Sequence, residues 1–171
     1  MKSSRLLPRM VATIKPVRSC WLVAVVLLLT CGVAQAQEIE GSYKLVMRKL
    51  QDGTTQAPPA VQGAATFHSG LRSLIVDGYL PEGKLWCLSL ISSYKISATE
   101  WTETLLLSAV DDGSGKPLYG LTGGIKTSPV THEGARILFK PGFEPVTYAF
   151  EGDKWTATLE GVFVDYRESV R

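Results

Sequence analysis

Cysteine is scarce in this sequence, and the positions of the few cysteines exclude a disulfide-stabilised fold. There are three in 171 residues, and two of them, Cys20 and Cys31, lie in an amino-terminal segment with the features of a cleaved leader. Cys87 would then remain alone, so no disulfide could form within the mature chain. Cys87 lies near the start of a predicted strand and is most simply a small packed residue. The mature domain must therefore be stabilised by its core.

Histidine is equally scarce, and the familiar catalytic motifs are absent. His68 and His132 are the only two histidines, and no Cys, Asp or Glu lies at metal-ligand spacing from either. There is no G-x-S-x-G, H-E-x-x-H, phosphate-binding loop or dinucleotide fingerprint. We therefore predict no catalytic residue, no metal site and no cofactor. Enzyme activity is the least favoured class, although a site at the mouth of a barrel is left open.

The first 36 residues lack acidic side chains altogether. Five basic residues precede a ten-residue apolar run, Trp21–Thr30, and Ala34-Gln35-Ala36 then forms an A-x-A cleavage site. This pattern predicts a secretory signal peptide at 1–36, with cleavage before Gln37, because the apolar run is too short for an ordinary membrane span. The protein is thus expected to be exported, to the periplasm or the medium. Leu28–Cys31 also resembles a bacterial lipobox, but Thr30 departs from the usual small residue and simple cleavage is preferred.

The remaining chain also lacks a strong excess of positive or negative charge. Removing 36 of 171 residues leaves 135, which predicts one domain at 37–171 with a substantial core. All 16 acidic residues stay and five of the 18 Lys and Arg leave, so the mature net charge is 13 minus 16, or −3. No block of like charge occurs. We therefore predict no nucleic-acid partner, no attraction to an anionic membrane and no membrane span in the mature protein.

No stretch has a helical period, and the chain reads instead as strands. The clearest is Leu85–Val110, in which Trp86, Leu88, Leu90, Tyr94 and Ile96 alternate with small or polar residues; successive strand side chains point to opposite faces. A two-residue turn at Ala98-Thr99 predicts a hairpin. Its cross-strand pairs are Ile96 with Trp101, Tyr94 with Glu103, and Ser92 with Leu105.

Other alternating runs are separated by Gly, Pro and Asp turn signals every 8–12 residues. They predict strands at 38–50, 62–68, 72–78, 121–127, 135–140, 146–150 and 154–167, with a turn region at 128–134 and a parity change near Gly161. After that change, the predicted apolar face of the last strand is Val162, Val164 and Tyr166. Because the connections are short, we predict an all-β, antiparallel up-and-down barrel of eight to ten strands. A barrel of that size either holds one small ligand or is filled by its own side chains.

Several motifs resemble those of small exported bacterial lipocalin-like proteins. Gly41–Val46 resembles the opening G-x-W strand, with Tyr in place of Trp, and Tyr94–Ser97 followed by Trp101–Thr104 resembles the central hairpin of that family. Phe150–Thr156 resembles a later hairpin, and Tyr166-Arg167 the closing strand. The resemblance implies a lipocalin-like barrel whose interior binds small apolar molecules.

In the predicted register, Glu103 lies on the apolar face beside Tyr94. A buried carboxylate is costly unless it is hydrogen-bonded, solvated or protonated, so Glu103 is a candidate for orienting a ligand, with its carboxylate close to the Tyr94 hydroxyl. A one-residue slip would instead place Glu103 in water. The predicted ligand-binding residues are Tyr94, Glu103, Tyr43, Trp86, Leu90, Trp101 and Tyr148. The alternative is that these side chains simply fill the interior.

The sequence therefore favours an exported lipocalin-like protein that binds a small apolar ligand in its interior. The alternative is an envelope protein-interaction module, such as an inhibitor of a periplasmic enzyme, which would act through its surface. An interior cavity would favour the first function, and a large exposed apolar patch the second.

Overall fold

The computed structural model describes residues 39–121 and 123–170, and most of them lie in antiparallel β-strands. The predicted leader lies outside the described residues. The strands are β1 (Gly41–Leu50), β2 (Thr55–Gln56), β3 (Val61–His68), β4 (Leu71–Tyr79), β5 (Leu85–Ile96), β6 (Glu100–Asp111), β7 (Leu118–Gly120), β8 (Ile125–Pro129), β9 (Thr131–Glu133), β10 (Arg136–Phe139), β11 (Thr147–Glu151), β12 (Lys154–Leu159) and β13 (Phe163–Ser169). The predicted all-β class is confirmed. The count exceeds the predicted eight to ten strands because β2, β7 and β9 have only two or three residues each.

The sheet is a meander that curls round until its ends meet. Eleven strands follow the order β7-β6-β5-β4-β3-β1-β13-β12-β11-β10-β9, so most neighbours in space are neighbours in sequence. The extended segment Ile125–Glu133 joins the two ends, because its first half, β8, pairs with β6 and its second half, β9, pairs with β10. Between them the Val130 N–H donates to the Thr99 carbonyl oxygen over 2.9 Å. The predicted up-and-down barrel is thus confirmed.

The predicted turn region at 128–134 was wrong, because β8 and β9 occupy most of it. The alternation of apolar and polar residues did not reveal these strands, because Val130 is the only buried residue of 128–134 and every side chain of β9 is exposed. A strand without an apolar face leaves no alternating pattern in the sequence. The predicted weak strand at 121–127 overlaps β8 only from Ile125 onwards.

Inside the barrel, one end is filled by interlocked aromatic side chains. Phe67 is fully buried and lies edge-on to the rings of Tyr43, Tyr94, Phe150 and Trp155, with centroid distances of 5.4–6.2 Å. Edge-to-face and stacked pairs add specific geometry to the burial of apolar area. This end of the interior is therefore solid, and any ligand space must lie elsewhere.

In the part of the chain that the structure covers, no helix has the length and apolarity needed to cross a membrane.

Candidate functional site

The hairpin β5–β6 places a glutamate inside the barrel, in the predicted register. Ile96 pairs with Trp101, Tyr94 with Glu103 and Ser92 with Leu105, and the Ser97 N–H donates to the Glu100 carbonyl oxygen across the two-residue turn. The Glu103 side chain is fully buried. The predicted register, which places Glu103 on the inner face of the sheet, is therefore confirmed.

The Glu103 carboxylate is fully engaged by protein groups. It accepts hydrogen bonds from Ser92 Oγ (2.5 Å), the Gly142 backbone N–H (2.8 Å) and Trp101 Nε1 (3.3 Å), and Arg72 Nη2 lies 3.2 Å from Oε1. The hydroxyl of Tyr94, by contrast, is buried and has no hydrogen-bond partner among the described residues. The predicted approach of the Tyr94 hydroxyl to Glu103 is therefore not found as a hydrogen bond.

Arg72 links this carboxylate to a second one. It is 1% exposed and forms an ion pair with Glu144, whose other oxygen accepts a hydrogen bond from the Tyr148 hydroxyl at 2.7 Å. Burial alone would lower the pKa of Arg72, but Tyr148, Glu144 and Glu103 outweigh it and raise that pKa above its ordinary value. Burial also raises the pKa of Tyr148 well above normal. Arg72 is thus held charged between two carboxylates.

A second buried charge cluster lies on β1 and β13. Arg48 makes a bidentate pair with Asp165, with Nε–Oδ1 at 2.6 Å and Nη2–Oδ2 at 2.9 Å. Arg167 reaches the same carboxylate only through one long contact, Nη2–Oδ2 at 3.4 Å. The guanidinium of Arg167 lies over the ring of Trp155, 4.7 Å from its centroid, which fixes its orientation.

Between the two charge clusters lies a cavity of about 190 Å³. Its deep wall is apolar and buried, formed by Leu74, Val76, Val146 and Ala157. Four half-buried side chains and the exposed Pro145 also line it, so the cavity opens towards the surface on that side; the four are Trp86, Leu88, Leu159 and Phe163. Arg48, Glu144, Asp165 and Arg167 supply the polar part of the wall.

The structure divides the seven predicted ligand-binding residues into two groups. Trp86 and Tyr148 line the cavity. The other five, Tyr43, Leu90, Tyr94, Trp101 and Glu103, are buried outside its lining. Trp101, for example, is stacked between Tyr94 (4.8 Å) and Phe139 (4.4 Å). Side chains therefore fill one end of the barrel, and the other end contains an open cavity. Ligand binding by any of the seven residues stays a prediction.

Five charged residues of the site were not predicted from the sequence. For one of them, Arg72, the sequence pattern indicates burial. Arg72 is in phase with the inward-facing Leu74 and Val76, so its burial could have been read from the alternation of β4. Arg48 faces inward only because a bulge between Leu45 and Met47 changes the parity of β1. The others are Glu144, Asp165 and Arg167.

The last strand was assigned to the wrong face. The predicted apolar face was Val162, Val164 and Tyr166, but Asp165 and Arg167 are the buried residues of β13, whereas Val164 and Tyr166 are half-buried and Val162 is 49% exposed. Apolar residues mark the inner face only when the interior is apolar, and at this position it holds an ion pair.

Within residues 39–121 and 123–170, no group of three or more His, Cys, Asp and Glu side chains could hold a metal ion. The arrangement is instead that of a small, mainly apolar chamber with a few fixed polar groups, which is how small-molecule sites are commonly built.

Comparisons with known proteins give a weak structural likeness that supports neither a fold nor a function. No protein-family model matches the chain, and no curated protein matches it. Among solved structures, it is similar to a lipocalin-like protein from Bacteroides uniformis, with 17% sequence identity over 77% of this chain and 98% of that chain, and a TM-score of 0.34. Likeness at this level carries no argument about a ligand.

Proposed function

We propose that this protein is an exported binding protein that takes up a small, mainly apolar molecule inside its barrel. The observation that supports the proposal is the cavity of about 190 Å³, with a buried apolar deep wall and an opening at half-buried side chains. An apolar cavity of about 150 Å³ inside a protein is large enough to bind benzene. The expected ligand therefore has an apolar body of about the size of one ring or a short chain. Export is supported by the basic, apolar and A-x-A segments of the leader.

The test is to fill the cavity from within. Ala157 is buried and lines it, so Ala157→Leu places extra carbon atoms in the chamber, whereas Ala64→Leu adds the same atoms on the exposed face of β3. Uptake of 1-hexanol is followed by heteronuclear NMR of the purified protein. We expect shifts at the amides of Leu74 and Val76 in the wild type and in Ala64→Leu, and their loss in Ala157→Leu. Equal uptake by all three proteins would contradict the proposal.

A second candidate function, an envelope protein-interaction module, is favoured by the outer face of β4–β6. Large apolar side chains there are 38–56% exposed, namely Leu71, Ile75, Tyr79, Leu85, Ile91 and Leu107. Tyr79 pairs directly with Leu85, and Ile91 with Leu107, so they form neighbouring pairs on one surface. Exposed apolar patches mark interaction surfaces. A photo-crosslinker at Ile75, compared with one at the exposed Lys154, would trap a partner at the first position only.

A further inference from the structure

The cavity wall holds a buried guanidinium group whose hydrogen-bonding capacity the protein does not use. Arg167 is 2% exposed and lines the cavity. Its Nε and Nη1 groups have no hydrogen-bond partner among residues 39–121 and 123–170, and its remaining contact, Nη2 to Asp165, is 3.4 Å long. Buried donors without an acceptor are rare and cost free energy. These N–H groups are therefore available to an acceptor bound in the cavity.

The carboxylate nearest to Arg167 is already occupied. Both oxygens of Asp165 accept hydrogen bonds from Arg48, at 2.6 and 2.9 Å. Two guanidinium groups thus share one carboxylate, because Glu144, the other carboxylate of the cavity wall, is paired with Arg72. Burial lowers the pKa of Arg167, and Asp165, Tyr148 and Glu144 offset this effect only in part. Arginine nevertheless stays protonated at neutral pH.

The other acidic group in the wall, Glu144, forms no hydrogen bond with Nε or Nη1 of Arg167. Glu144 gives one oxygen to Arg72 and the other to the Tyr148 hydroxyl. Glu103 is likewise held by Ser92, Trp101, Gly142 and Arg72. Both carboxylates are therefore fixed by their own partners, whereas Arg167 is fixed by the ring of Trp155 with two N–H groups unused.

We infer that the ligand is a small carboxylic acid, bound with its carboxylate on Arg167 and its apolar body against Leu74, Val76 and Ala157. The inference rests on the proposed function, since it assigns the head group of a molecule bound in the same cavity. A guanidinium group matches a carboxylate with two parallel N–H···O bonds, and such charge-assisted bonds are stronger than neutral ones. An ammonium head group, by contrast, offers no acceptor to the free N–H groups of Arg167.

The test is a set of unbranched six-carbon probes that differ in the head group. Hexanoate, hexanamide, 1-hexanol and hexylamine each have about eight non-hydrogen atoms or fewer, slightly more than the benzene that a cavity of about 150 Å³ binds, and the present cavity of about 190 Å³ is correspondingly larger. Their dissociation constants are measured by NMR titration of the purified wild-type protein at low salt. We expect hexanoate to bind at least tenfold more tightly than hexanamide or 1-hexanol, and hexylamine to bind most weakly.

The variant Arg167→Met keeps the unbranched stem of the side chain and removes its donors, and Arg136→Met, at a half-buried residue of β10, is the matched control. Arg167→Met should lose the preference for hexanoate and keep its affinity for 1-hexanol, whereas Arg136→Met should keep both. Persistence of the preference in Arg167→Met would overturn the assignment to this residue. If that variant does not fold, the wild-type series decides alone.

The outcomes separate the two proposals. Equal binding of hexanoate, hexanamide and 1-hexanol would overturn the carboxylate inference and leave the proposed function in place. Failure of all four probes to shift the amides of Leu74 and Val76 would contradict the proposed function, and the inference would fall with it.

Discussion

At the scale of single residues, the interior of this barrel contains more charge than its sequence pattern indicates. The sequence placed Glu103 on the inner face because its strand register followed from a two-residue turn, and that placement was correct. It could not supply two of the four partners of Glu103, since Arg72 comes from β4 and Gly142 from a loop that is far away in the chain. Side chains that meet across a closed barrel leave no local signal.

Glu103 is expected to contribute to stability through its ion pair with Arg72. Glu103→Gln removes one of the two carboxylates that face a fully buried guanidinium group, so we predict a loss of about 3 kcal/mol in the free energy of unfolding. The measurement is urea denaturation of the purified protein. Glu100→Gln, on the exposed start of the same strand, is the control and should change stability by less than about 0.5 kcal/mol. A loss below about 1 kcal/mol for Glu103→Gln would show that Glu144 alone is enough to compensate the charge of Arg72.

Substitution of Tyr94 is expected to change the free energy of unfolding in the opposite direction, because its hydroxyl is buried without a partner among the described residues. Removal of an unpaired buried hydroxyl should be neutral or stabilising, so Tyr94→Phe is predicted to raise the free energy of unfolding by up to about 1 kcal/mol at neutral pH. The exposed Tyr119→Phe is the control and should have no effect. Destabilisation of Tyr94→Phe by more than about 1 kcal/mol would indicate that the hydroxyl is hydrogen-bonded after all.

The same substitution should change the response to alkaline pH. Burial raises the pKa of Tyr94 from its ordinary value of 10.0 to about 12. Preference of the folded state for the neutral phenol stabilises the wild type fully below pH 10, and this contribution is lost as the pH rises from about 10 to about 12. The advantage of Tyr94→Phe over the wild type should therefore grow across that range. An advantage that is constant from pH 9 to pH 12 would contradict the raised pKa.

At the scale of elements, the strands with one apolar face were predictable and those without one were not. β3, β4, β5 and β6 were found within one or two residues of their bounds, because their burial alternates. The segment that joins the ends of the sheet, β8 and β9, was missed since it buries only Val130. The bulge in β1 was also invisible, because it changes which face Arg48 occupies without changing the residues themselves.

Val130 is expected to be the point at which the barrel is most easily opened. Val130→Pro removes the N–H that donates to the Thr99 carbonyl oxygen, at the junction between β8 and β9. Val130→Ala keeps this N–H and shortens the side chain. We predict that Val130→Pro costs at least about 2 kcal/mol more than Val130→Ala in urea denaturation, as a proline that breaks a strand hydrogen bond does. Equal losses would show that closure between β6 and β10 contributes little.

At the scale of the whole molecule, the barrel combines a solid end with a hollow one. Aromatic rings around Phe67 fill the end near the β5–β6 turn, and the cavity lies where Trp86, Leu88 and Val76 face Ala157 and Phe163. The sequence predicted an apolar interior, but the same residue types fill a core and line a chamber. Which of the two occurs depends on side-chain volumes that meet across the barrel, and the order of residues along one strand does not contain this information.

The central claim is that this chamber holds a small molecule, and native mass spectrometry of the protein purified from its own exported compartment tests it most directly. The account predicts a retained mass above that of the polypeptide, released on unfolding, and absent from Ala157→Leu but present in Ala64→Leu. A bare polypeptide mass, together with no uptake of hexanoate or 1-hexanol, would contradict it. In that case the exposed apolar face of β4–β6 would become the functional surface.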